Sequence, residues 1–476
     1  MFWNLNHFGN VRPSQLLITM NRKSPLSRRN FIKASAAGIV APTIIPSSAL
    51  GLGKRPAPSN RVNVAFFGFG TIAHGTISGF LRNDQVQMVA VADVNRRSPN
   101  YGYRGEKEGG RLVGMEIVND YYAQAEGRLK YRGCRAYEDF RELVENEDVD
   151  AVNISTPDHW HAAMAIYCAN RKIHVYGQKP LAVTVAEGRA MERAVRRNKI
   201  TWQTGSQQRS ESYFREAVEF VRNERIGKLR TIRVVLPGGH SDWNQMADRR
   251  DPELVPAGLN YDFWQGPAPH RDYRPAILPL NWRHNFDYSG GMITDWGAHH
   301  VDISQWAMGM DNSGPVRIEN IRAELPAENE LYNTAPKYHF ECVYANGVRM
   351  IVSDNSNRET GITFEGDEGK SIFVTRGSIK MNPPELRRER IQDSETRVYR
   401  STNHVDDFIN GIYSGQRTAA PIEASHRSIS ICHLANIAIR LGRDSLDWDP
   451  KRERVVDDVA ANKMLSRPIR DGWKIR

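Results

Sequence analysis

The sequence predicts an α/β fold, a doubly wound parallel sheet, joined to an α+β C-terminal domain with a largely antiparallel open sheet. Three observations carry this. The β-prone apolar run Val62–Phe67 ends in a glycine-rich loop and passes into a helical pattern. Strand and helix patterns then alternate to about Gly205, as expected of parallel strands joined by crossovers. Beyond about Tyr213 the alternation stops. Tyr338, Phe340, Cys342 and Tyr344 share one face of a strand, and Asn346-Gly347 is a hairpin signal before the return run Val348–Ser353.

The first loop, Gly68-Phe69-Gly70-Thr71-Ile72-Ala73, reads G-x-G-x-x-A between strand and helix. Such a loop turns tightly at its first glycine and lets backbone approach a pyrophosphate at its second. Its small third residue packs helix on strand, and the helix N-terminus faces the anion. The next strand, Val86–Ala92, ends in Asp93, at the distance expected of the acid that binds a ribose hydroxyl. That makes this half a Rossmann domain for NAD, with NADP the alternative because Arg96 and Arg97 follow closely. A plain turn role for Asp93 is the competing reading.

Strands at Val149–Ser155, Lys172–Tyr176 and Ile200–Gly205 alternate with helices opened at Pro157-Asp158 and spanning Val185–Arg197. Ligands bind at the carboxyl ends of such strands. That rule gathers Ser155, Thr156, Pro157, Gly177, Gln178, Lys179, Pro180, Gln207, Gln208 and Arg209 on one rim with Gly68. In the second domain, Leu229–Leu236 and Ser371–Thr375 read as strands, and Val405–Tyr413 and Ser425–Leu441 as helices. The Pro- and aromatic-rich stretch Asp251–Pro279 is expected to lie as a structured loop over the site. The division is 1–59 leader and linker, 60–209 nucleotide domain, 210–476 substrate and oligomerisation domain.

The leader explains the charge. The chain of 476 residues carries +10, yet residues 1–60 hold eight basic residues and no acid, and subtracting those eight leaves +2. Nucleic-acid binding, which needs a clustered basic surface on the body, loses its support. Ser27-Arg28-Arg29-Asn30-Phe31-Ile32-Lys33 resembles a twin-arginine export signal, followed by small residues over Ala34–Ala49 and a linker at Lys54–Asn60. Translation from Met20 is an alternative to Met1. Export to the periplasm is the expectation, with no stable membrane insertion of the mature chain, since Pro42 and Pro46 interrupt a short stretch. The four cysteines form no C-x-x-C pair and read as buried free thiols.

Gly290–Asp302 is the other informative segment. Asp295 and His299 are spaced i, i+4 and share a helix face. A carboxylate that orients an imidazole suits proton transfer. The same pair can hold a metal, although no third ligand has matching spacing and none is assigned, or it can be structural. His159 and His161 form an H-x-H pair placed on the cofactor side or at a helix start. Flanking Gly290 and Gly291 are read as admitting close approach of a ligand.

These motifs together resemble the glucose–fructose oxidoreductase / inositol dehydrogenase (Gfo/Idh/MocA) family, over nearly everything after the leader. The resemblance rests on Gly68–Ala73, on Gln178-Lys179-Pro180 where the family has Glu-Lys-Pro, and on Asp295 to His299. It is similar also to exported members at Cys432–Ala438, Trp448-Asp449-Pro450 and Leu465–Pro468. It implies Lys179, Asp295 and His299 as catalytic residues, with His299 taking a hydroxyl proton. It implies Gly68, Gly70, Thr71, Ile72, Asp93, Ser155, Thr156, His159, Gln178 and Lys179 as cofactor contacts. Gln178 in place of Glu keeps hydrogen-bonding reach and loses a charge. Arg209, Trp282, Arg283 and Tyr288 are expected substrate contacts. The implied activity is hydride transfer to tightly bound NAD or NADP from a hydroxyl of a sugar, glycoside or cyclitol, in a homo-oligomer. The alternatives are an NAD-dependent glycosidase or lyase working by transient oxidation and elimination, and a non-catalytic nucleotide-binding protein.

Overall fold

The computed structural model describes residues 55–473. The twin-arginine-like segment, the stretch Ala34–Ala49 and Lys54 lie outside the described residues. In the first half the elements are β1 (Val62–Phe67), α1 (Thr71–Arg82), β2 (Val86–Ala92), β3 (Ser98–Tyr101), β4 (Lys107–Gly109), α2 (Arg111–Ala125), β5 (Arg135–Tyr137) and α3 (Phe140–Asn146). They continue with β6 (Ala151–Ile154), α4 (His161–Asn170), β7 (His174–Gly177), α5 (Val185–Asn198) and β8 (Trp202–Thr204). Six strands form one sheet in the order β5-β2-β1-β6-β7-β8, all parallel. β1 is buried along nearly its whole length, as a strand covered by helices on both faces must be.

The carboxyl ends of these strands are stitched together. Gly68 N donates to Ala92 O (2.8 Å), Ser155 N to Phe67 O (2.7 Å), Gln178 N to Ile154 O (3.0 Å) and Gly205 N to Gly177 O (2.8 Å). The rim that will hold the site is thus one continuous backbone network.

The second half comprises α6 (Ser212–Arg222), β9 (Leu229–Leu236), α7 (Tyr261–Gln265), α8 (Gly291–Met308), β10 (Arg317–Glu324), β11 (Lys337–Val343), β12 (Arg349–Asp354), β13 (Gly361–Gly366), β14 (Ser371–Thr375) and β15 (Ser378–Asn382). After these come α9 (His404–Ser414), α10 (Ile422–Leu441), β16 (Ser445–Asp449), β17 (Arg454–Val455) and α11 (Val459–Met464). A nine-stranded sheet runs β15-β14-β13-β9-β12-β11-β10-β16-β17. It is antiparallel except where β9 and β12 pair in parallel. β11 alternates buried Tyr338, Phe340 and Cys342 with part-exposed neighbours, the pattern of a sheet with one covered face. The four cysteines are buried and free.

Two features depart from the sequence reading. Residues 55–61 do not behave as a linker. The Arg55 guanidinium lies over the Tyr122 ring (5.2 Å) and donates to Val86 O (2.5 Å), and Arg61 Nε donates to Pro56 O (2.8 Å). The chain also returns to the first sheet. Val405, Phe408 and Ile409 of α9 sit in one apolar cluster with Val64, Phe66 and Phe80. Each such side chain contributes roughly 1.5–3 kcal/mol on burial, so α9 belongs energetically to the nucleotide half. Among the described residues, no helix is long and apolar enough to cross a membrane.

Candidate active site

A cavity lies at the carboxyl rim of the parallel sheet, between the two halves. Its floor is the glycine loop, Gly68 to Ile72, with Asp93, Ser155, Thr156 and Pro157. Its far wall is Phe263, Trp264, Pro279, Leu280, Trp282 and Arg283, so the Asp251–Pro279 stretch lies over the site as expected.

The loop is built for backbone contact. Gly68 has φ +82°, and a Cβ there would lie 2.8 Å from Ser155 O. Asp93 secures the loop: Oδ2 accepts from Phe69 N (2.7 Å) and Oδ1 from Asn95 N (2.8 Å). Burial raises the Asp93 carboxyl, opposed by those two amides and by Arg111. No side chain caps the first turn of α1, so its N–H groups remain available to an anion. Gly70 serves a purpose the motif did not disclose. A Cβ there would meet the Tyr101 ring at 2.8 Å, and Gly102 N donates to Thr71 Oγ1 (2.7 Å). The β3–β4 hairpin therefore roofs the loop.

Beside this cavity stands a buried charged group. Lys179 Nζ donates to Asp295 Oδ1 (2.7 Å) and to Asp295 O (3.0 Å). Arg283 Nε approaches the same Oδ1 at 3.4 Å. Burial pushes the Asp295 carboxyl up, but Lys179 and Arg283 outweigh it and hold it below the usual range. His299 follows one turn along α8. Burial, Lys179 and Arg376 push its imidazole well below its ordinary value, so it is neutral at physiological pH. Its Nδ1 is buried without a hydrogen-bond partner, as are both amide atoms of Gln178 and of Gln208. Buried polar groups are nearly always paired, and these atoms keep capacity for a further hydrogen bond among the described residues.

These features meet two family models. Residues 62–206 match "Oxidoreductase family, NAD-binding Rossmann fold", and residues 227–475 match "Oxidoreductase family, C-terminal alpha/beta domain". The chain belongs to the Gfo/Idh/MocA oxidoreductase family.

Relatives include a levoglucosan dehydrogenase from Pseudarthrobacter phenanthrenivorans, 26% identical over 55% of this chain and 64% of that protein. A glycosyl hydrolase family 109 protein from Shewanella pealeana is 33% identical over 34% of this chain and 35% of its own length. The chain thus matches well under two thirds of several curated relatives. Among solved structures, an aldose–aldose oxidoreductase from Caulobacter crescentus complexed with glycerol shares the fold. Its TM-score is 0.54 at 16% identity, covering 81% of this chain and 99% of that one.

As a Gfo/Idh/MocA protein, the chain carries an NAD-binding first domain, and its glycine cradle, Asp93 and orphaned Gln178 amide fit that cofactor. Gly68, Gly70, Thr71, Ile72, Asp93, Ser155 and Thr156 line the cavity, as do Trp282 and Arg283. Lys179 and Gln178 stand behind that lining. Five expectations need correction. Asp295 does not orient His299, because both cations take its Oδ1. His159 does not line the cavity: its Nε2 pairs with Trp264 O (2.9 Å) and its ring packs on Trp264 and Tyr288. Tyr288 is buried in that aromatic stack and reaches no cavity surface, while Arg209 is fully buried in ion pairs with Asp302 (2.6 Å) and Asp311 (2.8 Å). The glycines near Asp295 serve packing, not ligand approach: a Cβ at Gly291 would press on Thr334, and one at Gly297 on Cys432 Sγ.

Sequence reading missed Tyr101, Glu138, Trp160 and Asp158, while Gln208 was placed on the rim without a role. Glu138 lines the cavity and is held by Arg111 (3.0 Å) and Asn260 (2.7 Å). No periodic pattern announced the hairpin or α2 and α3. The Asp158 signal was present in Pro157-Asp158 but was read as a helix start.

Proposed function

We propose that the protein oxidises or reduces a hydroxyl-bearing carbon of a sugar, glycoside or cyclitol, with NAD held tightly in the cavity. The observation that carries this is the buried Lys179–Asp295 pair, a fixed ammonium beside a dinucleotide cradle. When bound, the nicotinamide supplies the hydride acceptor or donor. The chain's own residues handle the proton. Lys179, paired with Asp295, donates a hydrogen bond to the substrate oxygen and stabilises charge developing there. His299, neutral, offers a free ring lone pair to accept the hydroxyl proton. Relatives whose names denote dehydrogenases of small carbohydrates support the substrate class.

NAD is favoured over NADP. Asp93 and Glu138 place two carboxylates at the cavity, which repel a 2′-phosphate. Arg97 is neutralised by Glu108 and Glu116. Tight retention is supported by walls drawn from both halves and roofed by the hairpin. Export by the twin-arginine pathway, which carries folded proteins, is the consistent setting for a chain loaded with cofactor before leaving the cytoplasm. A homo-oligomer built on the open sheet face is proposed with it. The deciding experiment is mass analysis of nucleotide released from the denatured, purified protein. Stoichiometric NAD is expected, and an empty protein that also fails to bind added NAD or NADP would overturn the reading.

A second reading is favoured by the relative in glycosyl hydrolase family 109. Transient oxidation acidifies the C–H beside the new ketone, elimination releases the aglycone, and re-reduction leaves no net redox change. Release of aglycone from a glycoside without accumulating NADH would select it.

A further inference from the structure

Two covers close over the glycine loop, and they are fastened differently. The wall from the second half is bonded along its length. Trp264 O accepts from His159 Nε2 (2.9 Å) and Trp160 Nε1 (2.9 Å), Gly266 O accepts from Arg470 Nε (2.8 Å), and Phe263 stacks on Trp473 (5.0 Å). The β3–β4 hairpin is firmly bonded only at its base. There Gly110 N donates to Phe69 O (2.8 Å), Arg111 N to Asn95 O (3.0 Å) and Arg96 N to Gly258 O (2.8 Å), and Arg97 pairs with Glu108 (2.6 Å). Its outer end, from Asn100 to Glu106, is held lightly. Gly102 N donates to Thr71 Oγ1 (2.7 Å), the exposed Tyr103 meets the Trp243 ring edge-on at 6.0 Å, and Asn100 Nδ2 lies 3.9 Å from Met246 Sδ.

Tyr101, the last residue of β3, is where this hairpin reaches the cavity, and it shares the lining with Gly68 to Ile72 and Asp93. One edge of its ring lies on Gly70, where a Cβ would come within 2.8 Å of Cε1. The other edge lies on Gly109, where a Cβ would come within 2.6 Å of Cδ2 and Cε2. Two glycines from separate segments thus make room for one ring. Gly70 is the position at which a dinucleotide's diphosphate approaches the backbone. Gly109 lies outside that motif, so its lack of a side chain serves the ring. The ladder behind Tyr101 pairs Ser98 with Gly109 and Tyr101 with Lys107, with an irregularity between them. A segment so lightly bonded opens at a small fraction of the free energy of global unfolding, and its fixed base supplies a hinge.

We infer that the β3–β4 hairpin is a latch on the dinucleotide site: the Tyr101 ring closes over the loop at Gly70, and NAD enters and leaves when the outer end of the hairpin lifts about its base. This role rests on the reading of NAD as tightly held in the cavity, and it assigns that retention to a moving part. A residue that only touches bound NAD slows its release and leaves its entry alone. A latch slows both, because the same opening precedes either passage. The two roles therefore separate in the rate constants and not in the affinity.

The test follows nucleotide exchange in the full chain, with no sugar and no turnover. Charcoal treatment removes bound nucleotide, entry of NADH is read by energy transfer from tryptophan in a stopped-flow mixer, and release is read by chasing bound NADH with excess NAD. Tyr101→Ala should speed entry and release alike, by about ten-fold or more, while the Kd for NADH changes by less than about three-fold. Tyr103→Ala should do the same to a smaller extent, because it frees the outer end of the hairpin from Trp243 without removing a cavity-lining side chain. It also keeps the idea open to refutation should Tyr101→Ala fail to fold. Faster release with unchanged entry would make Tyr101 an ordinary contact and overturn the latch, as would wild-type rates in both variants. A wild-type chain that binds no NADH at all would overturn the cofactor reading, and the latch with it.

Discussion

Helix α8 carries two buried carboxylates seven residues apart on one stripe, and they have opposite fates. Asp302 is saturated. Arg209 Nε (2.6 Å) and NH2 (2.8 Å) reach its two oxygens, and Ser428 Oγ adds a third bond (2.9 Å). Arg209 in turn meets Asp311 and lies over the Trp306 ring at 5.3 Å. Asp295 is contested, with two cations on one oxygen, and one turn along the helix His299 Nδ1 is buried with no partner among the described residues. A saturated buried cluster has no capacity left for a ligand, and its worth is structural. An under-satisfied one is costly to keep, and it makes sense where a ligand completes it. Burial of charge alone did not distinguish the two, whereas hydrogen-bond completeness did.

The comparison can be broken most directly at its two cations. Lys179→Ala should lower turnover by about 10²–10⁴-fold, the range of a positioned proton-handling group, with a smaller loss of stability than the Arg209 variant because Arg283 stays beside Asp295. Steady-state kinetics beside a denaturant titration would check both, and wild-type turnover would remove Lys179 from the chemistry. Arg209→Met should do the reverse. It strands Asp302 and Asp311, and removing one partner of a buried pair costs roughly 3–5 kcal/mol. Chemical denaturation reads that loss, and a variant as stable as the wild type would show that Asp302 is not held by charge.

Asp158 sharpens the contrast through pH. Its folded carboxyl titrates at about 7, above the unfolded value of 3.8. Between those limits the folded chain retains a proton that the unfolded chain has lost, so this contribution to stability falls as pH rises from about 4 to about 7. Relative to the wild type, Asp158→Asn should therefore gain stability with rising pH, by on the order of 4 kcal/mol at most. Parallel stability curves for the two proteins from acid to neutral pH would contradict it. The smallest effect expected is at the chain's end. Trp473 stacks on Phe263 (5.0 Å) and meets Trp160 edge-on (5.2 Å), behind the cavity wall. Trp473→Ala should cost about 0.5–1.5 kcal/mol per aromatic pair beyond area burial, read as a lowered thermal midpoint.

Most of the fold was legible because its signals are local. Val62–Phe67, Val86–Ala92, Leu229–Leu236 and Ser371–Thr375 have the bounds their apolar runs indicated. The helix joining Asp295 to His299 followed from spacing alone. The hairpin Ser98–Gly109 and helices α2 and α3 were not legible. Their strands are short and exposed, and α2 has a weak apolar face. The β9–β12 parallel pair and the return of α9 to the first core join residues far apart in the chain, where no periodicity reports the partner.

By itself the sequence determined the dinucleotide loop, the rim that bears it, the Asp93 acid and the identities of Lys179, Asp295 and His299. Those follow from residue type at fixed spacing within single elements. Only the tertiary structure decided what each polar group does. It gave Asp295 to Lys179 and Arg283 instead of His299, sealed Arg209 into a closed cluster, laid Tyr101 on Gly70 and left Asp158 facing two cations. The physical reason is that a charged side chain's role is set by its partners and its distance from water, and both come from elements that meet only when the chain folds.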